Sequence, residues 1–198
     1  MTHQAASSSW TVGSEKKVGS DSGEDSENPS IIRESGGRIW VAYGHYNGTN
    51  GWLRATYSDN DFQTQIHTNV SSADPNYGAG EFHPALVIRN GYPFIVYLDS
   101  EDNYFKWSSW NGSSWSTPGS TGIGPTWDSF SVTTIGTTVH VVYGSYIIRY
   151  TYFDGTWHAP EEIQSGGHGS VHASPSLTTN DVDLWCFASI YYPDPTVP

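Results

Sequence analysis

The stretch from Glu81 to Trp115 reads EFHPALVIRNGYPFIVYLDSEDNYFKWSSWNGSSW. Two apolar runs, Ala85 to Ile88 and Phe94 to Tyr97, flank the turn Arg89-Asn90-Gly91. An acidic loop, Asp99 to Asp102, separates the second run from an alternating aromatic segment, Tyr104 to Trp110, which ends in the Asn111-Gly112 turn. Short runs rich in Val, Ile, Phe, Tyr and Trp, bounded by Gly, Asn and Asp, are strands joined by hairpins. The stretch therefore predicts an antiparallel up-and-down meander of about four strands.

The rest of the chain repeats this unit. Aligned on the aromatic residue that ends the second strand, Tyr43, Tyr97, Tyr143 and Phe187 recur at intervals of 54, 46 and 44 residues. The preceding strands also align: Pro29 to Ile32, Pro84 to Val87, Ser129 to Val132 and Pro175 to Leu177. The third strands, Trp52 to Tyr57, Tyr104 to Ser109 and Ile147 to Tyr152, each carry one base at a matching offset, Arg54, Lys106 or Arg149. Fourth strands are expected to start at Phe62, Trp115 and Trp157. A repeat of this length containing only strands predicts the blades of a β-propeller. The fold class is all-β, with four recognisable blades over roughly 27–70, 82–120, 127–165 and 173–198. Ser9-Trp10-Thr11 resembles Ser114-Trp115-Ser116, so an outer strand over 9–18 joins them in one domain spanning 1–198. Two architectures fit: a closed four-blade ring, or a fragment of a larger propeller. Residues 19–28 read as a flexible acidic connector.

Composition supports strands over helices. The chain has 198 residues, 15% aromatic and only 14% charged, with nine tryptophans and thirteen tyrosines. No window carries sustained apolar spacing at three and four residues, so no helix is predicted. The net charge of −12 argues against a nucleic-acid partner and against anionic membranes, because both need a basic face. A lone cysteine, Cys186, forms neither an internal disulfide nor a cysteine-built metal site, and reads as a buried inert thiol. No signal peptide and no membrane-spanning run is visible. The sequons at Asn47, Asn69 and Asn111 are compatible with an extracellular or cell-surface location.

The turns Tyr57-Ser58-Asp59-Asn60-Asp61-Phe62, Trp110-Asn111-Gly112-Ser113-Ser114-Trp115 and Tyr152-Phe153-Asp154-Gly155-Thr156-Trp157 carry a family likeness. They resemble degenerate copies of the Ser-x-Asp-x-Gly-x-x-Trp turn of sialidase-like propellers, the bacterial neuraminidase repeat. In that family the turn joins the third and fourth strands of a blade. The resemblance implies the fold. Active sialidases hold a substrate carboxylate with an arginine triad whose first member starts an inner strand. Those places are taken here by Asn28-Pro29, His83-Pro84 and Ser174-Pro175, and Arg33 and Arg89 stand at the far ends of their strands. The resemblance therefore does not imply true sialidase activity. The pattern also looks like arabinanase-type glycosidases and propeller polysaccharide lyases.

Candidate chemistry falls in two places. Loops leading into the inner strands converge on a channel mouth, the expected ligand cleft. Glu27, Glu81 and Asp128 come from three successive blades and suit acid–base work on a glycosidic bond, which needs one protonated and one ionised carboxylate. His83 or His172 would assist. Elsewhere, Trp52, Trp110 and Trp127 lie near turns, where exposed rings stack on sugars. Arg54, Lys106 and Arg149 would form one ligand pocket per blade or, alternatively, pair with acids of the neighbouring blade. His168 and His172 share one face only in a helix, which Gly166, Gly167 and Gly169 oppose, so no metal is expected. Calcium at Asp59-Asn60-Asp61 or at the Asp99 loop stays open, and no cofactor is expected. The function these residues suggest is an extracellular carbohydrate-recognising propeller that binds a glycan or acts on its glycosidic bonds at the channel mouth, as a glycoside hydrolase or polysaccharide lyase in the latter case. Alternatives are a non-catalytic lectin or adhesion module, or a structural surface or phage assembly module. Open blade edges pair with other chains, so self-association is a further expectation.

Overall fold

The computed structural model describes residues 14–19, 24–76, 82–99, 103–124, 129–144, 147–165 and 175–188. The strands are β1 (Asp25–Arg33), β2 (Ile39–Tyr46), β3 (Gly51–Ser58), β4 (Ile66–Asn69), β5 (Phe82–Arg89), β6 (Tyr92–Asp99) and β7 (Tyr104–Ser109). There follow β8 (Gly119–Ser120), β9 (Phe130–Ile135), β10 (Thr138–Tyr143), β11 (Ile147–Phe153), β12 (Glu161–Ser165), β13 (Ser176–Thr179) and β14 (Leu184–Phe187). They form three four-stranded meanders, β1 to β4, β5 to β8 and β9 to β12, and a two-stranded sheet, β13 with β14. All pairings are antiparallel between sequence neighbours, as in propeller blades.

Local chemistry sets the turns. Asn90 and Gly91 both have positive φ, 53° and 80°, and Arg89 pairs with Tyr92, which is the two-residue hairpin that Asn-Gly favours. At the end of β10, Gly144 has φ 139°, and a side chain there would collide with the Ile147 carbonyl. The turn after β7 is folded by Asn111, whose Oδ1 accepts hydrogen bonds from the Ser113 and Ser114 amides at 2.9 Å each. Trp115 and Trp157, expected to start fourth strands, instead form single bridges back to Trp110 and Phe153. Residues 58–64 form a loop in which Ser58 Oγ accepts from the Asn60 and Phe62 amides. The outer strands β4, β8 and β12 begin only after these side-chain-bonded turns, because the turn's own hydrogen bonds use the backbone groups that a ladder would need. The acidic connector also ends early: β1 already starts at Asp25, with a bulge between Glu27 and Ser30 where Asn28 takes φ 53°. Of the outer strand expected over 9–18, residues 9–13 lie outside the described residues, and 14–18 are not strand.

The sheets pack in chain order, and their inner strands run parallel. Asn28 Nδ2 donates to the Phe82 carbonyl at 3.1 Å, and two residues further along β1 Ser30 Oγ accepts from the Leu86 amide at 2.9 Å. Ser131 Oγ on β9 accepts from the Leu177 amide on β13 at 3.0 Å. Because side chains alternate along a strand, each sheet feeds two cores. Trp40, Ala42, Leu53 and Ala55 face the second sheet, meeting Leu86, Ile95, Tyr97 and Trp110. Phe94, Val96, Leu98 and Phe105 face the third, meeting Val139, Val141, Tyr143 and Phe153. Val142 and Ile148 meet Leu177. On the outer side of the last sheet, Trp185 and Phe187 are exposed, and so is Cys186, correcting the expectation of a buried thiol. The strands that bury this position in the other sheets have no counterpart among the described residues after β14.

Trp40 is the hub of the first core. Its ring lies 4.5 Å from Tyr57, 5.1 Å from Trp110 and 5.7 Å from Trp115, and its indole N–H donates to Glu34 at 2.7 Å. Trp40→Ala is expected to lower unfolding stability by about 3–5 kcal/mol, read as a reduced urea midpoint. The exposed control Ile31→Ala should shift it by less than about 0.5 kcal/mol.

Candidate functional site

One register position recurs in three sheets. Tyr43, Tyr97 and Tyr143 stand directly across the ladder from Arg54, Lys106 and Arg149. Two residues beyond each base, on the same face, lies a buried hydroxyl: Thr56, Ser108 or Thr151. Each hydroxyl is hydrogen-bonded: Thr56 to Tyr43 at 2.8 Å and to His67 Nδ1 at 2.7 Å, Ser108 to the Ser116 carbonyl at 2.7 Å, and Thr151 to the His158 carbonyl at 2.6 Å. In the second sheet this face looks back onto the first, as the shared core residues Tyr97 and Trp110 show.

A cavity of about 240 Å³ opens between the first two sheets, walled by Ser71, Ser72 and Asp74 on one side and by Tyr97, Asp99 and Lys106 on the other. Lys106 Nζ contacts Asp99 Oδ2 at 2.6 Å, and the Asp99 side chain is only 9% exposed. Asp99 belongs to β6, the same sheet as Lys106, so these two pair within one blade. The reason is the two-residue period: Asp99 lies two positions beyond Tyr97, on the same face as the base opposite it. The segment after β4 is held by Asp74, whose backbone exchanges hydrogen bonds with Gly51 at 2.9 Å and whose Oδ1 accepts from the Asn76 amide at 2.8 Å.

The same face of the first sheet is more tightly closed. His45 is fully buried, its ring 4.4 Å from Trp52 and its Nε2 3.6 Å from a Glu24 carboxylate oxygen. The Arg54 guanidinium lies 5.0 Å from the Trp52 ring. Burial, and then the charge of Arg54, push the His45 pKa below its ordinary value, against the pull of Glu24. Burial likewise raises Tyr43 and lowers His140, which bonds Tyr150 through Nδ1 at 2.7 Å.

Of the mouth residues, Glu27 and His83 are exposed and lie at the same end of adjacent inner strands, joined by the Asn28–Phe82 hydrogen bond between them. Glu81, Asp128 and His172 lie outside the described residues, as does Trp127. Trp52 and Trp110 are not exposed sugar platforms: they are 7% and 6% exposed. Turn proximity misleads here because Trp110 points into the core shared with the first sheet and Trp52 packs on His45 and Arg54. Of the three bases, Lys106 lines the cavity, Arg54 caps Trp52, and Arg149 is half-buried on β11. Of the cavity residues only Lys106 was a ligand-binding candidate from the sequence; Ser71, Ser72 and Asp74 gave no signal there, and Tyr97 stood out only as a marker of the repeat. Asp99 was placed in a loop, although its spacing from Tyr97 already puts it on the base-bearing face. Asp59, a calcium candidate, accepts a bidentate contact from Arg38 at 2.7 and 3.1 Å, which holds its carboxyl below the usual range.

No family model and no curated protein sequence matches this chain. Solved structures do. A triple arginine-to-alanine mutant of AofleA from Arthrobotrys oligospora matches with a TM-score of 0.59 at 16% identity, over 82% of this chain and 49% of that one. The Aleuria aurantia lectin in complex with Fucα1-6GlcNAc matches at 0.55 and 15%, over 82% and 54%. The intramolecular trans-sialidase from Ruminococcus gnavus, in complex with oseltamivir carboxylate, matches at 0.56 and 14%, over 82% and 39%. The fold is thus that of a β-propeller, and the chain spans about half the length, or less, of these structures.

The depressed His45 and His140 values fix the sign of one pH effect. Both imidazoles take up their protons at lower pH in the folded protein than in the unfolded chain, whose ordinary value is 6.5. Their contribution to stability is therefore complete above about pH 6.5 and is lost as pH falls from there through the folded-state values. The urea midpoint should drop between pH 7 and pH 5, and His45→Gln should lose less over that interval even from a lower start. Equal losses in the two proteins would assign the acid sensitivity to other groups.

Proposed function

We propose that this chain is a carbohydrate-recognising propeller that holds a saccharide in the cleft between its first and second sheets. The observation that carries this reading is the Asp99–Lys106 pair on the wall of the cavity. An ammonium and a carboxylate fixed side by side offer a donor and an acceptor at a set spacing. That suits vicinal sugar hydroxyls, each of which both donates and accepts, and hydrogen bonds to charged groups are the stronger kind. Ser71, Ser72 and Asp74 add polar groups across the cleft. The volume, about 240 Å³, is below the ~300–1,000 Å³ of drug-sized sites and suits one sugar ring. That a structurally similar lectin carries Fucα1-6GlcNAc supports a glycan as the ligand class. The cavity opens between blades at the end where the inner strands begin, since Phe82, next to His83, also lines it, and recognition without catalysis is favoured because its carboxylate Asp99 is held against Lys106.

A second reading, cleavage of a glycosidic bond at the mouth, is favoured by one observation: Glu27 and His83 are exposed at the same end of adjacent inner strands. It would draw on Glu81, Asp128 and His172 as well. Export belongs to both readings, and Asn47, Asn69 and Asn111, the three sequon asparagines, are all exposed.

A glycan array followed by calorimetry separates the two. Substituting Asp99→Asn together with Lys106→Gln keeps a hydrogen-bonding pair and leaves no lone buried charge. It should weaken binding about tenfold to a hundredfold, the worth of one charged hydrogen bond at about 1.5–3 kcal/mol. Glu27→Gln should leave affinity unchanged. Binding that survives the double substitution and disappears with Glu27→Gln would move the site to the mouth.

A further inference from the structure

Neighbouring sheets meet through a contact that occurs twice. Ser30 accepts from the Leu86 amide at 2.9 Å, and Ser131 accepts from the Leu177 amide at 3.0 Å. Ser176 holds the same place in the last sheet, opposite Phe187 as Ser30 and Ser131 are opposite Ala42 and Val142. Ile31 holds the place of Leu86 and Leu177 in the first sheet, opposite Val41 as they are opposite Ile95 and Cys186. The last sheet thus carries the serine half of the contact and the first sheet the amide half, each on the face turned away from the sheets between them.

Both faces bear apolar side chains that are buried everywhere else in the repeat. By this register Phe187 stands one place before the tyrosines with which spacing alone aligned it. It is 62% exposed, although Ala42, Val96 and Val142 at the same position are fully buried. Trp185 is 43% exposed, although Trp40 and Phe94 at its position are buried. Ile31 is 67% exposed, although Leu86 and Leu177 at its position are buried. Further out on the face of the first sheet, Val41 and Tyr43 are buried, Gly19 lies against the Tyr43 ring, and Gln65 Nε2 donates to the Lys17 carbonyl at 2.6 Å. Only the inner strand of that face is bare. The last sheet has the complementary form: among the described residues it consists of its two inner strands. The turns agree in charge. Arg89 Nε donates to the Thr137 carbonyl at 2.8 Å, so the turns of adjacent sheets touch at this end. There the last sheet has exposed Asp181 and Asp183, and the first sheet has exposed Arg33.

We propose that the last sheet of one copy packs on the first sheet of a second copy, head to tail. Trp185 and Phe187 cover Ile31 as Trp40 and Ala42 cover Leu86, and Ser176 accepts from the Ile31 amide. The two faces do not meet within one copy, where both stay exposed. Contact between two different faces of one chain builds a ring when the rotation closes. Each copy brings four sheets, so two copies reach the upper end of the range, about four to eight blades, in which propellers close. The assembly is therefore a ring of two.

The test is sedimentation velocity of the full-length chain from about 1 to about 100 µM, a range over which a mass-action dimer forms. The expected result is a passage from the mass of one chain to the mass of two. Trp185→Ser with Phe187→Ser removes the tail surface, and Ile31→Asp removes the head surface. All three side chains are exposed, so each variant keeps its fold. Each variant alone should raise the dissociation constant at least about thirtyfold, the cost of losing an interface anchor. Mixed in equal amounts at the highest concentration, the two variants should regain a two-chain species, because each keeps the face that the other has lost. The Asp99→Asn and Lys106→Gln double variant should assemble normally, so assembly and saccharide binding in the cleft are read separately. The mass of one chain at every concentration would assign the tail face to residues 189–198 of the same chain and overturn the proposal. A mass above two chains, a dimer that survives either variant, or no recovery on mixing overturns it as well.

Discussion

Each central sheet in this chain stands between two others, so its strands must satisfy a different core on each face. That constraint governs the rest of the structure. Along β6, Phe94, Val96 and Leu98 serve the core shared with the third sheet, while Ile95 and Tyr97 serve the one shared with the first. A sheet buried on both sides has no room for the simple apolar–polar alternation of a half-exposed strand. This explains the near-continuous apolar runs, and why aromatic residues make up so much of a chain with so little charge. Large rings fill the widening gap between twisted sheets, as the cluster of Trp40, Tyr57, Trp110 and Trp115 does.

Burial on both faces also makes polar residues in the strands expensive, so the few that occur are informative. One row of them recurs across three sheets: an aromatic hydroxyl, a base opposite it and a hydroxyl two residues on. In the second sheet the base meets Asp99 at 2.6 Å beside an open cleft. In the first it lies over Trp52 next to a buried imidazole. A common scaffold thus presents two electrostatic environments, and the difference arises at one register position, Asp99 against His45. Fold alone sets neither ligand nor reaction, since sites are grafted on folds. The meaning of this row rests on the local pairing of charges.

Much of the architecture was legible in the residues. The Asn-Gly and Asp-Gly turns, the spaced Tyr residues and the matched bases all follow from short-range rules, because a hairpin's conformation and a strand's period are local properties. The outer strands were misplaced for a local reason as well: at Asn111 and Ser58 a side chain takes over the hydrogen bonds that would otherwise start a ladder. The tryptophans were misjudged for a non-local one. Trp52 and Trp110 sit beside turns, but a ring's exposure depends on what packs over its face, and that comes from other parts of the chain.

By itself, then, the sequence determined the strand count of the first three units, the direction of the chain through each sheet, and the shared offset of Arg54, Lys106 and Arg149 along their strands. These depend on backbone turns and on a two-residue period, which act over a few residues. Only the tertiary structure decided which face of each blade is covered, that Lys106 pairs with Asp99 of its own sheet, and that a cleft opens between Asp74 and Lys106. Those outcomes depend on how one sheet settles against the next, and burial between sheets is a property of no single stretch of chain.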